Sequence, residues 1–259
     1  MTEAAMKDAD PADKTAAQEV VEIVKTVVYA LLIALVLRIL LFQPFTIPSA
    51  SMEPTLLEGD YIIVSKYSYG YSRHSIPFSP PIFDGRIFER APHRGDIIVF
   101  KLPRDGHTDY IKRLIGLPGD RIQVREGALY VNGKAVTRER LGPAAIETDY
   151  GFTRQVMRYE EHLGTHDYTT FDFGPDGDVD NTEVFVVPEN HYFFMGDNRD
   201  NSLDSRVPPE LQGVGMVPEE NLVGKAQLIL LSWDREAALF KPWTWVTKAR
   251  PSRFFKVLN

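Results

Sequence analysis

The 259-residue sequence contains no cysteine, which excludes disulfide bonds, thiolate metal ligands and a cysteine nucleophile. Basic residues are fewer than acidic ones: the chain has 29 Lys and Arg residues and 36 Asp and Glu residues, which gives a net charge of −7. A chain of this sign repels nucleic acid, so we expect no nucleic-acid partner. The hydrophobic content of 44% and the charged content of 25% are typical of a globular protein with its own core.

Residues 20–42 form the one long apolar run of the chain. At a rise of 1.5 Å per residue, about 23 helical residues span roughly 35 Å, which is enough to cross a bilayer core. Glu22, Lys25 and Arg38 lie near the two ends of the run, where long charged side chains can reach the lipid–water interface. We therefore predict an uncleaved transmembrane anchor.

Two alternatives compete with an anchor. A cleaved secretory signal needs a small-x-small cleavage site after the apolar run, and Leu41-Phe-Gln-Pro-Phe45 does not supply one. A buried amphipathic helix normally keeps a polar face, which this run lacks. Residues 1–19 are polar and have no periodicity, so they predict a disordered tail.

The rest of the chain has the pattern of β-structure, and no helical pattern of any length follows the anchor. Short strands are predicted at 60–65, 96–100, 110–115, 183–187, 191–195 and 224–232, with a hairpin over 121–136 whose turn is Asn132-Gly133. Residues 67–93 predict a long ordered loop, and residues 140–181 a polar, irregular β excursion.

The fold class expected from these patterns is mainly β: a single N-terminal transmembrane helix followed by an all-β domain of antiparallel sheets. The predicted divisions are a tail at 1–19, an anchor at 20–42 and a β domain at 43–259. Within that domain the core is predicted at 43–120 and 183–259, with the excursion at about 121–182.

A serine-bearing stretch follows the anchor at residues 47–57. Ser49 and Ser51 lie between Pro48 and Pro54, and proline restricts both its own φ and the residue before it. The stretch is therefore predicted to be extended and stiff, so that both hydroxyls face the same way. This is a candidate nucleophile site, although serines beside prolines are also typical of turns.

A serine nucleophile needs a base, and none of the six histidines lies in a context typical of one. His162-x-x-x-His166 has the spacing of helical metal ligands but no adjoining Glu and no helical pattern. Asp176-x-Asp-x-Asp180 begins like a calcium loop but lacks the Gly and Glu that complete one. We therefore expect no metal site.

Lys112 is the remaining candidate base. Its neighbours are apolar, and strand alternation puts it on the same face as Tyr110 and Leu114. Burial would lower the pKa of its ammonium group, and a neutral lysine can accept a proton from a serine hydroxyl. The alternative, equally favoured by the pattern, is that Lys112 is exposed while Arg113 points inward or into an ion pair.

Together these segments resemble bacterial signal peptidase I, the membrane-bound leader peptidase family. Five blocks match in order. They are the anchor; Pro48-Ser-Ala-Ser-Met-Glu-Pro-Thr-Leu56; Gly59-Asp-Tyr-Ile-Ile-Val; Arg94-Gly-Asp-Ile-Ile-Val-Phe with Asp109-Tyr-Ile-Lys-Arg-Leu-Ile-Gly-Leu-Pro-Gly-Asp120; and Met195-Gly-Asp-Asn-Arg-Asp-Asn-Ser-Leu-Asp-Ser-Arg206.

The resemblance implies a serine endopeptidase, with Ser51 as nucleophile and Lys112 as general base of a Ser-Lys dyad. It implies that the Ser49 hydroxyl and the Ser51 backbone N–H form an oxyanion hole, and that Ser202 orients the lysine. No metal or other cofactor is implied. The polar residues that shape the site would be Arg113, Asp197, Arg199, Asp204 and Arg206. The residues lining the substrate pockets, selective for Ala-x-Ala, would be Ile47, Pro48, Met52, Leu56, Tyr110 and Ile111.

The resemblance also implies secretory preproteins as substrates, a lipid bilayer as partner and a monomeric enzyme. The expected location is the inner (cytoplasmic) membrane, crossed once, with a cytoplasmic N-terminus and the catalytic domain on the outer, periplasmic side. Two features depart from the family pattern: some members carry two transmembrane helices where this chain offers one, and residues 140–181 carry no motif of the family.

Several alternatives stay open. A related peptidase dedicated to one exported substrate, or an inactive membrane-tethered scaffold, fits the same blocks, whereas a self-cleaving Ser-Lys repressor has no use for an anchor. The C-terminal aromatic residues are interpreted equally well as core residues or as an interfacial belt on lipid. They are Trp233, Phe240, Trp243, Trp245, Phe254 and Phe255.

Overall fold

The computed structural model describes residues 16–147, 152–175, 177–237 and 241–258. The first described element is helix α1 (Ala16–Leu40), which buries no residue against the protein and contains an 18-residue segment with a mean hydropathy of 2.4. It is long and apolar enough to cross a membrane. Its bounds differ from the predicted anchor at both ends, so that residues 16–19 of the predicted tail are helical. The helix ends early because Phe42 already pairs with Ser65 in a strand and Pro44 cannot continue a helix.

In the described residues that follow, fifteen strands form three antiparallel sheets, and the prediction of a mainly β fold with one N-terminal apolar helix is confirmed. They are β1 (Phe42–Thr46), β2 (Asp60–Ser65), β3 (Ile97–Lys101), β4 (Asp109–Gly116), β5 (Arg121–Arg125), β6 (Ala128–Val131), β7 (Lys134–Ala135), β8 (Thr137–Glu147), β9 (Thr153–Leu163), β10 (His166–Asp172), β11 (Phe185–Val186), β12 (His191–Met195), β13 (Val217–Pro218), β14 (Leu222–Ser232) and β15 (Lys256–Val257).

The large sheet runs in the order β1-β2-β14-β3-β4-β12-β13, with β15 paired to β14. A four-stranded sheet has the order β11-β5-β6-β7, and a three-stranded sheet the order β10-β9-β8. All strands of the large sheet come from residues 42–116 and 191–257, and all strands of the smaller sheets from 121–186. β4 lies inside the large sheet, between β3 and β12, which fixes the direction of its side chains.

The region 140–181 is more regular than predicted. β8 and β9 pair over their whole length, from Thr137 opposite His162 to Glu147 opposite Thr153. Most described side chains of β9 are exposed or half-buried, so the strand needs no alternation of apolar and polar residues, and the sequence pattern that marks a strand is absent.

The predicted hairpin is a three-stranded meander. Asn132-Gly133 turns the chain between β6 and β7 as expected, but Glu126-Gly127 makes a second turn between β5 and β6. All four residues have positive φ, between 48° and 77°, as the tight turns that match strand twist require.

The hydrophobic core covers both faces of the large sheet. Ile97 and Val99 of β3 belong to one cluster, whereas Ile98 and Phe100 belong to another. Consecutive strand residues point to opposite faces, so a run of apolar residues marks a strand covered on both sides. Leu114 and Ile115 of β4 likewise lie in different clusters, so residues on either face of β4 are buried.

The C-terminal aromatic residues divide into two groups. Trp233 packs against Tyr61 and Phe254, with ring centroids 5.6 Å and 6.0 Å away. Trp243, Trp245 and Phe255 are exposed, the first two on a short helix that was not predicted, α2 (Pro242–Thr247). Phe240 lies outside the described residues.

Candidate active site

Ser51 lies in a 3₁₀ turn, Ala50–Met52, so the serine stretch is not extended throughout as predicted. Ser49 just before the turn is extended, with φ −145° and ψ 155°. The two hydroxyls nevertheless come together, with their Oγ atoms 3.4 Å apart. The turn is held by Asn198, whose backbone N–H donates to the Ser51 carbonyl and whose amide donates to the Ala50 carbonyl, both at 3.1 Å.

Gly196 permits this close approach. A Cβ atom at Gly196 would lie 2.4 Å from the Ser51 carbonyl oxygen and 2.3 Å from Ser202 Oγ. Any side chain there would push the serine turn away from the loop that supports it. Two of the matching blocks are thus in direct contact, because the last block, which contains Gly196, supports the turn formed by the second block, which contains Ser51.

Lys112 is buried on β4, with 4% of its surface exposed, and its Nζ lies 2.5 Å from Ser51 Oγ. Burial lowers the pKa of Lys112 from 10.5 to about 8, although Asp204 and Asp197 act in the opposite direction. An amine of lowered pKa within hydrogen-bond distance of a serine hydroxyl can accept its proton, as nucleophilic catalysis by serine requires.

Arg113 is buried on the other face of β4. Burial of Lys112 therefore does not require Arg113 to be exposed, and both side chains are buried, one on each face of the strand. The Nε and Nη2 atoms of Arg113 donate to the two carboxylate oxygens of Asp197, each at 2.8 Å, and its Nη1 donates to the Gly95 carbonyl. The guanidinium also lies 3.8 Å from the centroid of the Tyr168 ring. Burial alone would lower the pKa of Arg113, but Asp197 raises it overall.

Asp204 and Arg206 form a second buried ion pair, in which Arg206 Nε and Nη2 each lie 2.9 Å from a carboxylate oxygen. Burial would raise the pKa of Asp204, but Arg206, the Gly196 N–H and the nearby Ser202 hydroxyl lower it overall. Arg206 also donates to the carbonyl of Arg199. The pair therefore fixes the loop that carries Ser202.

Arg199 makes the third pair, donating to both oxygens of Glu161 at 2.5 and 2.6 Å. Glu161 also accepts a hydrogen bond from Tyr168, so this cluster joins β9 and β10 to the loop after β12. Sequence reasoning missed Glu161, Tyr168 and also Thr55, whose hydroxyl donates to Asp197 at 2.6 Å. No local signal marks Glu161, because its partner is 38 residues away.

A cavity of about 920 Å³ opens over Ser51 and Lys112. Of the predicted pocket residues, Pro48, Tyr110 and Ile111 line it. Ile47, Met52 and Leu56 do not line it: they are buried in the hydrophobic core, at 2%, 0% and 0% exposure. Cavity-lining residues that sequence reasoning missed include Arg154 and Phe173, which stack with the guanidinium carbon 3.9 Å from the ring centroid.

Ser202 lines the same cavity, but none of the described residues offers its buried Oγ a well-formed hydrogen bond, and it makes none to Lys112. It lies against Gly196 and next to Asp204 in space. The role of orienting the lysine stays a prediction for Ser202.

Among the described residues, no histidine lines this cavity. His162 is engaged elsewhere, with its Nδ1 2.7 Å from Asp167, and Glu139 and Glu160 lie near it in an arrangement that could hold a metal ion. Of the calcium-like motif, Asp176 lies outside the described residues. Ser51 and Lys112 therefore remain the candidate nucleophile and base among the described residues that line this cavity.

Comparison with known proteins shows the family to which the chain belongs. A family described as "Signal peptidase, peptidase S26" matches residues 20–233. A signal peptidase I of Rickettsia typhi (strain ATCC VR-144 / Wilmington) is 43% identical over 250 residues, covering 89% of this chain and 90% of that protein. A signal peptidase I of Rickettsia canadensis (strain McKiel) is 42% identical over 264 residues, covering 95% of each.

A crystal structure of a signal peptidase I from Enterococcus faecalis V583 is 30% identical, covers 52% of this chain and 97% of that chain, and has a TM-score of 0.30. The match of the family over residues 20–233 includes the apolar helix and every block that surrounds Ser51 and Lys112. On the extent of that match and on relatives that align over nearly their whole length, the chain belongs to the signal peptidase family, peptidase S26.

Proposed function

We propose that this signal peptidase cuts preproteins after an Ala-x-Ala motif with Ser51 as nucleophile and Lys112 as general base. Membership of the family makes preproteins with N-terminal signal peptides the substrates. The observation that carries the dyad is the 2.5 Å separation of Lys112 Nζ and Ser51 Oγ in a buried site that opens into a cavity.

The chemistry proceeds in two halves. Ser51 Oγ attacks the carbonyl carbon of the scissile bond while Lys112 Nζ accepts the hydroxyl proton, and the lysine then gives that proton to the leaving amine. A water molecule, deprotonated by Lys112, next attacks the carbonyl carbon of the acyl-enzyme. The lysine returns that proton to Ser51 Oγ as the ester bond breaks and the signal peptide leaves. With a pKa of about 8, roughly a tenth of the molecules carry the neutral amine at pH 7.

The negative oxygen formed in each half needs hydrogen-bond donors. We assign these to the Ser51 backbone N–H and the Ser49 hydroxyl, whose Oγ lies 3.4 Å from Ser51 Oγ. Donors fixed in this way contribute about 3–4 kcal/mol each to lowering the barrier. Ser202, close to the site and buried, is assigned to orient the protonated lysine during the reaction.

The substrate would lie as an extended strand against Pro48 and Tyr110–Ile111, the apolar part of the cavity wall. The hydrophobic core beneath that wall would support it. Three of the predicted pocket residues, Ile47, Met52 and Leu56, belong to this core. Arg113, Asp197, Arg199, Asp204 and Arg206 would keep the site in shape through their buried pairs. The reaction uses no metal or other cofactor.

The location follows from the apolar helix. We propose a monomer in the inner (cytoplasmic) membrane, crossed once by residues 20–42, with residues 1–19 cytoplasmic and the β domain, 43–259, on the periplasmic side. Helix α1, with its apolar side chains exposed all round, supports the lipid contact. The large sheet and the two smaller sheets support the division of the domain into a core (43–120, 183–259) and an excursion (121–182).

Cleavage of a purified preprotein in detergent tests the proposal. The enzymes compared are the wild type, Ser51→Ala and Lys112→Met, with Ser252→Ala and Lys134→Met as matched controls at exposed positions. We expect the wild type and both controls to release the mature protein after Ala-x-Ala, sequenced from its new N-terminus. The cleavage rates of Ser51→Ala and Lys112→Met should be lower than that of the wild type by at least about 10³-fold.

Two outcomes would count against the proposal. Full activity of Ser51→Ala would exclude the dyad. A folded wild-type protein that cuts none of several preproteins would favour a peptidase dedicated to one substrate, or an inactive scaffold.

A further inference from the structure

Asn198 has no exposed surface and does not line the cavity, yet it holds the backbone of the candidate nucleophile from behind. Its side-chain amide donates to the carbonyl of Ala50, the residue before Ser51, at 3.1 Å. Its backbone N–H donates to the carbonyl of Ser51, also at 3.1 Å. One residue therefore binds both of the peptide groups that flank the Ser51 side chain.

The contact with the Ala50 carbonyl fixes the direction of the Ser51 N–H. The two belong to one trans peptide group, whose planar geometry points the carbonyl and the N–H in opposite directions. Because the carbonyl faces Asn198, the N–H points away from Asn198. Among the described residues this N–H has no hydrogen-bond acceptor, so it is available to an oxygen of the substrate.

The Ala50 carbonyl accepts a second hydrogen bond, from the Glu53 N–H at 3.1 Å, which closes the 3₁₀ turn. Hydrogen bonds accepted by a carbonyl polarise its peptide group and make the N–H of that group a stronger donor. The Glu53 bond belongs to the turn itself, whereas Asn198 reaches the carbonyl from 148 residues away. The amide of Asn198 therefore ties the direction of the Ser51 N–H to the loop that carries Ser202.

The other atom of the Asn198 amide indicates that the side chain does not serve stability alone. Its Oδ1 is buried, and none of the described residues donates a hydrogen bond to it. A buried polar atom without a partner destabilises the folded state and calls for an explanation. The hydrogen bond from the same amide to the Ala50 carbonyl supplies one.

The backbone at Asn198 is held on both sides. Asp197 pairs with Arg113, and Arg199 pairs with Glu161, and both ion pairs are buried. A side chain whose neighbours are fixed in this way can hold a peptide plane at a set angle, as a preorganised oxyanion donor requires.

We infer that Asn198 is a positioning residue for the oxyanion hole, whose amide holds the Ala50–Ser51 peptide group so that the Ser51 N–H donates to the negative oxygen of the transition state. The inference rests on the dyad and the oxyanion hole proposed above. Asn198 acts through this peptide group, because it lies outside the cavity.

Cleavage of a purified preprotein in detergent by full-length Asn198→Ala tests the inference. Asn221→Ala is the matched control, because Asn221 is also buried and its amide also donates to a backbone carbonyl, that of Lys101, at 2.8 Å. We expect kcat of Asn198→Ala to fall about 10- to 100-fold with KM within about twofold, since misaligning a donor costs less than removing it. Asn221→Ala should keep the kcat of the wild type, while the urea midpoints of the two variants shift by similar amounts.

Inhibition by a peptide aldehyde ending in Ala-x-Ala separates positioning from a general loss of structure. Ser51 Oγ adds reversibly to the aldehyde carbon while its proton passes to Lys112, and the aldehyde oxygen then occupies the oxyanion hole. Asn198→Ala should therefore weaken inhibition by the aldehyde by the same factor as kcat/KM. The matching peptide alcohol forms no such adduct, so it should inhibit Asn198→Ala and the wild type equally.

Two results would overturn the inference and leave the dyad in place: a kcat of Asn198→Ala equal to that of the wild type, or equal weakening of the aldehyde and the alcohol. If Asn198→Ala does not fold, Asn198→Ser replaces it, because the serine hydroxyl ends one bond short of the amide. Failure of both variants to fold would show a role in the fold and also overturn the inference. Full activity of Ser51→Ala would instead remove the dyad itself.

Discussion

Lys112 and Arg113 are neighbours on one strand, and both are buried, yet they occupy opposite electrostatic environments. On the Arg113 face, a carboxylate and a backbone carbonyl accept three hydrogen bonds from the guanidinium, an aromatic ring lies against it, and its pKa is raised. On the Lys112 face, within the described part of the chain, the amine contacts a single hydrogen-bonding group, the Ser51 hydroxyl, and its pKa is lowered to about 8.

The difference teaches that burial alone does not decide the charge of a buried cation: burial lowers the pKa of both side chains, and only Arg113 has a carboxylate partner that outweighs it. Two carboxylates, Asp197 and Asp204, lie near enough to raise the pKa of Lys112. Each is already engaged by an arginine, Asp197 by Arg113 and Asp204 by Arg206. The planar fork of arginine satisfies a carboxylate with two parallel bonds, which a lysine cannot do. Both carboxylates therefore stay paired with arginines. Lys112 has no carboxylate partner of its own among the described residues, so its ammonium group can lose its proton.

The largest effect on the free energy of unfolding is expected from removing the ion pair of Arg113 and Asp197. Arg113→Met would leave Asp197 buried with its main partner removed, and breaking one side of a buried ion pair costs about 3–5 kcal/mol. Urea unfolding in detergent measures the loss. Arg104→Met, at an exposed position, is the matched control and should change the free energy of unfolding by less than about 0.5 kcal/mol. A loss below 1 kcal/mol for Arg113→Met would mean that the pair does not support the fold.

The next largest effect is expected on the Lys112 face, where side chains contribute to the rate of cleavage and not to the free energy of unfolding. Ser49 is exposed in the cavity, so Ser49→Ala should leave the unfolding free energy unchanged. As the second oxyanion donor, its loss should lower kcat about 10²-fold, with little change in KM. The cleavage assay with Ser252→Ala as control measures this. A kcat within twofold of the wild type would remove Ser49 from the oxyanion hole.

The smallest effect is a gain in stability on removing Lys112. The pKa of Lys112 is about 8 in the folded protein and 10.5 as the reference value, so folding is penalised while the amine is charged in both states. The penalty is full below pH 8, fades between pH 8 and 10.5, and is absent above. Lys112→Met should therefore be more stable than the wild type at pH 7 by roughly 1–3 kcal/mol.

The same variant should lose that advantage as the pH approaches 10.5. Urea unfolding at pH 7, 9 and 10.5 measures the trend, with Lys134→Met as a control that is expected to show no trend. Equal destabilisation by Lys112→Met at every pH would show that the lysine supports the fold instead of straining it.

Much of this site could be predicted from the sequence, because its parts are carried by short contiguous blocks. The strands β2, β3, β4 and β12 were marked by apolar runs between turn residues, and the Ser and Lys positions lie within such blocks. The pattern could not say that Lys112 and Arg113 are both buried. Alternation assumes one covered face, whereas the strand between β3 and β12 is covered on both.

The rest depends on contacts between distant parts of the chain. The cluster of Glu161, Tyr168 and Arg199 joins strands of the three-stranded sheet to the loop after β12, and none of its members carries a local mark. The sequence of β8 and β9 lacks a strand pattern because, on a sheet with much exposed surface, charged residues occur on both faces. Arg154 of β9, which lines the cavity, carries no local mark for the same reason.

The pH dependence of kcat/KM on a purified preprotein tests the central claim most directly, because this quantity reports the ionisation of the free enzyme. If Lys112 is the base, kcat/KM should rise with unit slope through an acid limb whose midpoint lies at about pH 8. Circular dichroism over the same range controls for unfolding. A profile that is flat from about pH 5 to 9, or a limb centred near 6.5 as for an ordinary histidine, would contradict the account.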